Sequence, residues 1–265
     1  MIVLKTELKR LKQRLILSPG VIAAIDIAAI AAWGLLLLEY WINQKLTLLI
    51  HPNYIGLSVV AGVLLIAIAA YRTWTLLQLR RSKQKLPEVA HLNLLPPGVG
   101  SLLLLGVAIL GLVITPQPFA SQTAIQRGVG EIATLTQVKP QSFRVTVNPE
   151  SRTIIDWQRT LQVSPEPDNY TGQKVKVKGF VVYPDDLPQN YFLVTRFIVT
   201  CCAADAYPVS FPVKLDQGDR SAYKLDSWVE VSGNMITETL DNKRQLVIQS
   251  RQIQSIDRPK NPYDY

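Results

Sequence analysis

Three long apolar runs in the first 120 residues constrain this chain more than any other feature. Val21–Leu38 contains one charged residue, Asp26, while Ile55–Tyr71 and Val99–Thr115 contain none. About 17–25 helical residues cross the hydrocarbon core of a bilayer, and a lipid-exposed loop or single strand could not satisfy its backbone groups there. Residues 21–115 are therefore predicted to form three transmembrane helices.

The basic residues predict how these helices are oriented. Residues 1–120 hold 11 Lys and Arg against 4 Asp and Glu, whereas residues 121–265 hold 17 against 16. One basic cluster precedes the first run and another separates the second run from the third, and Lys45 is the one basic residue between the first and second. Basic loops stay in the cytoplasm, so we expect a multi-pass protein of the cell membrane with a cytoplasmic N-terminus and an extracytoplasmic C-terminal half.

The first 20 residues have a pattern of their own. Leu4, Leu8, Leu11 and Leu15 recur at helical spacing with basic residues between them. This pattern is typical of a helix that lies on anionic lipid, although a cytoplasmic extension of the first span fits it as well. We interpret residues 1–20 as an amphipathic basic segment in contact with membrane lipid.

Small residues at four-residue spacing occur within two of the apolar runs. Ala24, Ala28 and Ala32 form one stripe, and Ser58 and Gly62 form another. Small side chains let helices approach closely in lipid. The stripes are therefore candidates for packing against a partner helix, or for packing of the three helices against each other.

The second half of the chain has the pattern of a small β domain. Residues 116–150 are interpreted as a linker, residues 151–258 as the domain and residues 259–265 as a tail. Five apolar, alternating segments are separated by turn signals such as Pro184–Pro188 and Asp241-Asn242. A V-x-V-x-G pattern recurs at Val175–Gly179 and Val229–Gly233, as in strands that coil sharply at a barrel corner. We expect an all-β, OB-like small barrel.

The charge and histidine content exclude two functions often found on such barrels. A nucleic-acid-binding domain is normally basic, whereas this half is nearly neutral, so the lysines at 174, 176 and 178 are interpreted as a solvated strand face. Both histidines, His51 and His91, precede the domain, which leaves it without a histidine general base. We expect neither nucleic-acid binding nor an enzyme.

The two cysteines of the chain are adjacent, at Cys201 and Cys202, with Asp205 three residues later. Thiolates bind soft metals such as zinc, so these three residues are a candidate metal or thiol site. A strained vicinal disulfide in an oxidising compartment is a second interpretation. A third is structural, because side chains alternate between the two faces of a strand. Arg196 is expected to pair with Asp205, and Phe197 to support the motif.

The run from Arg196 to Ala206 (RFIVTCCAADA), together with Tyr170-x-Gly172, Val175–Phe180 and Trp228–Gly233, resembles the YcgQ-like family of bacterial membrane proteins. Members are described as accessory subunits of a two-component permease, and the resemblance covers roughly residues 150–256. It implies a multi-span permease as partner, with the β domain binding substrate or partner through the Cys-Cys loop. The alternatives are an envelope thiol redox or metal sensor and a structural envelope binding module.

Overall fold

The structure is a computed structural model that describes residues 18–82, 98–129 and 148–265. The chain divides into two compact units, Met1–Pro116 and Gln117–Tyr265. The first is helical, and the second is built on a six-stranded sheet. The amphipathic segment, apart from its last three residues, lies outside the described residues, as does the centre of the predicted linker. The same is true of Lys83 and Lys85, the last two basic residues between the second and third apolar runs.

The helical unit contains a helix at each predicted apolar run: α1 (Pro19–Ile42), α2 (Ile55–Arg81) and α3 (Val99–Val113). Pro19 occupies the first turn of α1, where a missing backbone N–H costs nothing. The first two helices, of 24 and 27 residues, are long and apolar enough to cross a membrane. The third is a shorter apolar helix of 15 residues.

Helices α1 and α2 approach each other closely at Gly34 and Gly62. A Cβ added at Gly34 would lie 2.9 Å from the side chain of Ile66 and 3.0 Å from the carbonyl oxygen of Gly62. At the start of α1, a Cβ added at Gly20 would lie 3.5 Å from the guanidinium of Arg80. The two helices are therefore antiparallel, with the start of α1 beside the basic end of α2.

Helices α1 and α3 are joined by two aromatic side chains. The Trp33 indole donates a hydrogen bond to the Leu104 carbonyl oxygen at 3.0 Å, and the Tyr40 hydroxyl donates to the Gly111 carbonyl oxygen at 2.6 Å. Both the donors and the acceptors are seven residues apart, so α3 runs parallel to α1. Its C-terminal end therefore lies beside Tyr40, away from the end of the bundle that carries Arg80.

The second unit confirms the five predicted strands. They are β1 (Lys174–Val182), β2 (Tyr191–Ile198), β3 (Tyr207–Lys214), β4 (Trp228–Leu240) and β5 (Lys243–Ile256), followed by a short β6 (Tyr263–Asp264). The sheet order is β1-β4-β5-β3-β2-β6, and an additional pairing joins β1 to β2. The first five strands thus form a closed ring of pairings in which β3 and β5 are parallel.

Gly179 and Gly233 lie where strands bend in this ring. A Cβ at Gly179 would lie 2.5 Å from the Thr195 carbonyl oxygen, and one at Gly233 would overlap the Gln249 carbonyl oxygen. Next to Gly179, Phe180 pairs with both β4 and β2, and Gly233 lies at a β-bulge. The repeated V-x-V-x-G pattern therefore marks the points at which only glycine allows the neighbouring strand to approach.

The core of the second unit lies between the strands and helix α5 (Ile154–Val163). This helix begins with a capping box formed by Thr153 and Asp156, and buries Trp157 completely. On the outer side of the sheet, the lysines of the predicted solvated face form ion pairs. Lys176 and Lys178 contact Glu230, and Lys174 contacts Glu150.

Parts of the predicted linker and tail pack against this unit. A short helix, α4 (Ser121–Gln126), follows Phe119, whose backbone N–H donates to the Tyr263 hydroxyl at 3.1 Å. The Ser121 backbone N–H donates to the Asp226 carboxylate at 2.6 Å. Residues 117–129 and 263–265 therefore cover the outside of the sheet.

Candidate functional site

The Cys-Cys motif lies in the loop Val199–Ala206, between the end of β2 and the start of β3. The Val199 backbone N–H donates to the Asp264 carbonyl oxygen at 3.0 Å, which extends the pairing of β2 with β6 by one residue. Beyond that point the chain leaves the sheet and turns through the 3₁₀ segment Ala203–Asp205. The site is therefore a loop that begins and ends on paired strands.

Asp205 organises the loop through its carboxylate. One oxygen accepts hydrogen bonds from the Thr200 hydroxyl and from the Cys201 backbone N–H at 2.8 Å, and the other accepts from the Cys202 backbone N–H at 3.0 Å. Burial opposes ionisation, but these hydrogen bonds outweigh it and hold the pKa of Asp205 below its ordinary value. An ionised Asp205 thus fixes the backbone of both cysteines.

The two thiols converge on the same side of the loop. The Cys201 and Cys202 sulfur atoms are 3.6 Å apart, and neither cysteine is in a disulfide. Because β2 ends at Ile198, the alternation of strand side chains does not apply to these residues. Cys201 is exposed and Cys202 is half-buried, which does not favour a structural role in a core.

The neighbouring groups keep the Cys201 thiol protonated. The hydrogen bond with Cys202 and then the Asp205 carboxylate raise its pKa to about 11. A thiolate next to a carboxylate is disfavoured by repulsion between like charges. A bound cation would reverse this effect, because it attracts both the thiolates and the carboxylate.

The three candidate site residues are close enough to share one ion. One ligand atom from each of Cys201, Cys202 and Asp205 lies within 4.8 Å of the other two. Across residues 18–82, 98–129 and 148–265, this is the one group of three or more His, Cys, Asp or Glu residues with such spacing. Of these ligands, the sulfur atoms suit zinc and other soft cations.

Arg196 does not pair with Asp205, and that expectation was wrong. Its guanidinium contacts the Asp264 carboxylate at 3.1 Å and donates to the Asn261 carbonyl oxygen at 3.2 Å. Burial raises the pKa of Asp264 above its ordinary value, although Arg196 opposes the shift. Arg196 thus holds β6 against β2, and Asp205 is occupied by its own loop.

Phe197 lies in a cluster of aromatic rings beneath the motif. Its ring stacks on Phe180 at 5.8 Å and contacts Phe119 at 5.1 Å. The Tyr263 ring contacts both Phe119 and Phe197, with ring centroids 5.8 and 6.4 Å apart. Phe197 therefore joins the end of β2 to the segments that cover the sheet.

Arg127, which follows α4, contacts the Cys-Cys loop, although it was not among the predicted site residues. Its guanidinium donates to the Ala203 carbonyl oxygen at 3.4 Å and to that of Ala206, and it lies over the Phe119 ring at 4.8 Å. Thr200 was also missed, although a hydroxyl before a D-containing turn is a usual capping signal. No spacing or motif connects Arg127 with a loop more than 70 residues away.

The small-residue stripes of the helices have different surroundings. Gly62 is buried in the contact with α1, where a Cβ would lie 3.2 Å from Leu38 and 3.3 Å from Leu37. Ser58 is half-buried and donates to the Tyr54 carbonyl oxygen at 3.2 Å. Ala24 and Ala28 are exposed, and Ala32 is half-buried. The Ala24–Ala28 face of α1 is therefore outside the contacts that the described parts of the three helices make with each other.

Comparison with known proteins supports the resemblance seen in the sequence. Residues 144–265 match the DUF1980 C-terminal domain family. This match covers most of the second unit, which is called the DUF1980-type domain, or β domain, from here on. One curated relative, from Streptococcus mutans serotype c, is 31% identical over 101 residues, which are 37% of this chain and 36% of the relative. It is named "Putative two-component membrane permease complex subunit". The matched part thus spans about a third of that relative's length.

Proposed function

We propose that this chain is the membrane-anchored accessory subunit of a permease, with a binding rather than a catalytic role. The observation that carries the proposal is the 31% identity, over 101 residues, between this chain and the permease complex subunit from S. mutans. Two helices able to cross a membrane precede that domain in this chain. A subunit of this kind would anchor a small binding domain beside the transport path of its partner.

The packing of the helices supports three spans with a cytoplasmic N-terminus. Residues Arg72, Arg80 and Arg81 lie in the C-terminal half of α2, and Arg80 lies beside the start of α1. Basic residues favour the cytoplasmic side, whereas Ile114 is at the other end of the bundle, near the Tyr40 hydroxyl. The 15 residues of α3 extend about 22 Å, which is short for a span, but α3 runs beside the second half of α1. The DUF1980-type domain would then be extracytoplasmic.

The strand order supports an OB-type barrel for the domain. Five strands in the order β1-β4-β5-β3-β2, closed by the pairing of β1 with β2, are what a small five-stranded Greek-key barrel requires. Strands β3 and β5 share only two residue pairs, at Val213 and Lys214. Barrels of this type bind ligands through the loops that join β1 to β2 and β4 to β5. The Cys-Cys loop joins β2 to β3 instead, so a site there would be separate from those loops.

The exposed face of α1 supports a site for contact with the permease. Ala24 and Ala28 face away from α2 and α3, and small side chains let a helix of another protein approach closely. We therefore assign this face to the partner. The buried Gly62, by contrast, serves the contact within the bundle.

Co-purification in mild detergent tests the proposal. The full chain should recover a multi-span permease from its native membrane, and Ala24→Leu with Ala28→Leu should reduce that recovery several-fold. Ala67→Leu and Ala70→Leu, at exposed positions of α2, are matched controls that should leave it unchanged. Recovery of the chain alone, without a permease, would refute the proposal.

The cysteines provide a test of topology, because both lie in the second unit and Cys201 is exposed. A membrane-impermeant maleimide should label the full chain in right-side-out vesicles and not in sealed inside-out vesicles. Cys201→Ser with Cys202→Ser is the control without thiols. Labelling of inside-out vesicles alone would overturn the extracytoplasmic location.

A thiol redox or metal sensor in the cell envelope is the second candidate function. It is favoured by the exposure of Cys201 and by the close approach of the two sulfur atoms. This candidate requires no permease. A change in the thiol state of the chain under oxidants, with no permease in the membrane complex, would support it over the first.

A further inference from the structure

The two thiols of the Cys-Cys loop already lie at a distance that suits binding of one ion. The Cys201 and Cys202 sulfur atoms are 3.6 Å apart. In a tetrahedral zinc site with Zn–S bonds of about 2.3 Å, two sulfur ligands are about 3.8 Å apart. A linear two-coordinate ion would need a much wider separation. The two thiols therefore suit a tetrahedral cation with little movement.

The loop that carries the thiols is fixed from both sides. Asp205 accepts from the backbone N–H groups of both cysteines and from Thr200. Arg127 donates to the carbonyl oxygens of Ala203 and Ala206. Because these contacts hold the backbone, the convergence of the sulfur atoms is a property of the folded loop. Preorganised ligands lose less conformational entropy on binding.

The hydrogen bonds to Asp205 also indicate which groups of the loop are available to bind an ion. The Asp205 oxygen that accepts from Thr200 and Cys201 has both of its lone pairs in use, and the other oxygen retains one. Most of the hydrogen-bonding capacity of the carboxylate is thus used within its own loop. Because it holds the backbone N–H groups of both cysteines, Asp205 is placed to position the two sulfur atoms.

We propose that Cys201 and Cys202 bind one thiophilic, tetrahedral cation of the zinc class, with Asp205 as the residue that positions them. On binding, each thiol releases its proton to solvent and each sulfur forms a bond to the cation. Structural zinc sites have four protein ligands, whereas this loop supplies two. The remaining positions are open to water or to a ligand from another protein, so the ion can be exchanged.

An exchangeable site would allow the bound ion to be cargo for a permease. This role of the ion rests on the proposed function. A domain that held the ion with four ligands would retain it. Two thiolates at an exposed loop can bind it and then pass it to ligands on a permease. The domain would therefore present a soft cation to its partner.

Cobalt titration of the full chain in detergent tests the site directly. With thiols kept reduced by a phosphine, we expect one Co²⁺ per chain, a thiolate charge-transfer band, and displacement of Co²⁺ by Zn²⁺. Two protons should be released per ion. Cys201→Ser with Cys202→Ser should abolish the band, because the chain has no other cysteine.

Asp205→Asn distinguishes a positioning role from that of a ligand. Loss of a group that orients metal ligands typically lowers affinity 10–100-fold, so we expect a loss of about that size with the two-thiolate spectrum retained. Asp186→Asn removes the same charge from an exposed turn and should leave affinity unchanged. A changed coordination spectrum in Asp205→Asn would show that Asp205 is a ligand and overturn its assignment.

Two results would overturn the site itself. One is the absence of Co²⁺ and Zn²⁺ binding when thiol titration shows two free thiols. The other is a mass 2 Da below that of the reduced chain after native purification, with no metal binding after reduction. Co-purification of a permease with the Cys201→Ser, Cys202→Ser variant separates the two proposals, because it tests the partner without the metal.

Discussion

The two units of this chain place their large apolar side chains in opposite ways. In the helical unit, leucines such as Leu64 and Leu102 are more than half exposed. In the DUF1980-type domain, residues such as Phe192 and Val231 are completely buried. The contacts between the helices combine glycines that pack against side chains such as Leu36 and Ile66 with hydrogen bonds from Trp33 and Tyr40.

This difference is the one expected if the helical unit lies in lipid, as proposed, and the β domain lies in water. The β domain folds in water, where burial of apolar surface stabilises it by about 25 cal/mol per Å². Helices in lipid gain nothing from burying a leucine, so close packing and interhelical hydrogen bonds hold them together. The same kind of substitution should therefore have different effects in the two units.

Removal of a large side chain should have the greatest effect in the β domain. Phe192→Ala deletes a completely buried ring and should lower the free energy of unfolding by about 3–5 kcal/mol. Leu64→Ala, at a position that is 56% exposed, should leave the helical unit unchanged. Hydrogen exchange of the β-strand peptides in the full chain, at increasing urea, measures the first. Equal losses for both variants would contradict the comparison.

An added methyl group should have a smaller but still different effect in the two units. Gly179→Ala brings a Cβ within 2.5 Å of the Thr195 carbonyl oxygen and should cost about 1–3 kcal/mol. Gly100→Ala, on α3 with no atom within 4 Å of the new Cβ, should be neutral or stabilising. Protease resistance of each unit during heating measures both. A stable Gly179→Ala domain would show that β1 does not bend as described.

Much of this contrast could be predicted from the sequence. The apolar runs predicted all three helices, because a long run with at most one charged residue is compatible with few structures other than a helix in lipid. Alternation and turns located five strands, and β4 and β5 are joined at Asp241-Asn242, both with positive φ as such a turn requires. The V-x-V-x-G pattern located the bends at Gly179 and Gly233.

The contacts between distant segments could not be predicted. Nothing in the sequence indicates that Arg196 pairs with Asp264 or that Arg127 contacts the Cys-Cys loop, because both depend on where β6 and α4 pack. For the candidate site, the motif identified Cys201, Cys202 and Asp205. Its geometry depended on the end of β2 at Ile198, and strand boundaries are the least predictable feature of a sequence.

Deletion of one hydroxyl should affect the two units about equally. Tyr40→Phe removes the hydrogen bond to Gly111 in the helical unit, at an expected cost of about 0.6–1.7 kcal/mol. Tyr170→Phe removes a bond of 2.9 Å to the Ser164 carbonyl oxygen in the β domain, at about 0.5–1.5 kcal/mol. Thermal unfolding of each unit in detergent measures both costs. A much larger loss for Tyr40→Phe would mean that lipid strengthens such bonds beyond their worth in water.

The smallest effect concerns an ion pair on the β domain and depends on pH. Glu238 accepts from Lys214 and Tyr191. Burial opposes ionisation of Glu238, but these two partners outweigh it and lower its pKa. A carboxylate with a lowered pKa in the folded state stabilises at pH values above its unfolded value of about 4.5, and this contribution is lost as the pH falls through the lowered value.

Glu238→Gln should therefore cost up to about 1 kcal/mol at pH 7, because both side chains are partly exposed, and progressively less below pH 4.5. Glu150→Gln removes the carboxylate that pairs with Lys174. This ion pair is more exposed than that of Glu238, so the substitution should have no measurable effect at either pH. Urea unfolding of the β domain at pH 7 and pH 4 measures the difference between the variants. A cost for Glu238→Gln that is the same at both pH values would mean that packing, and not ionisation, accounts for its contribution.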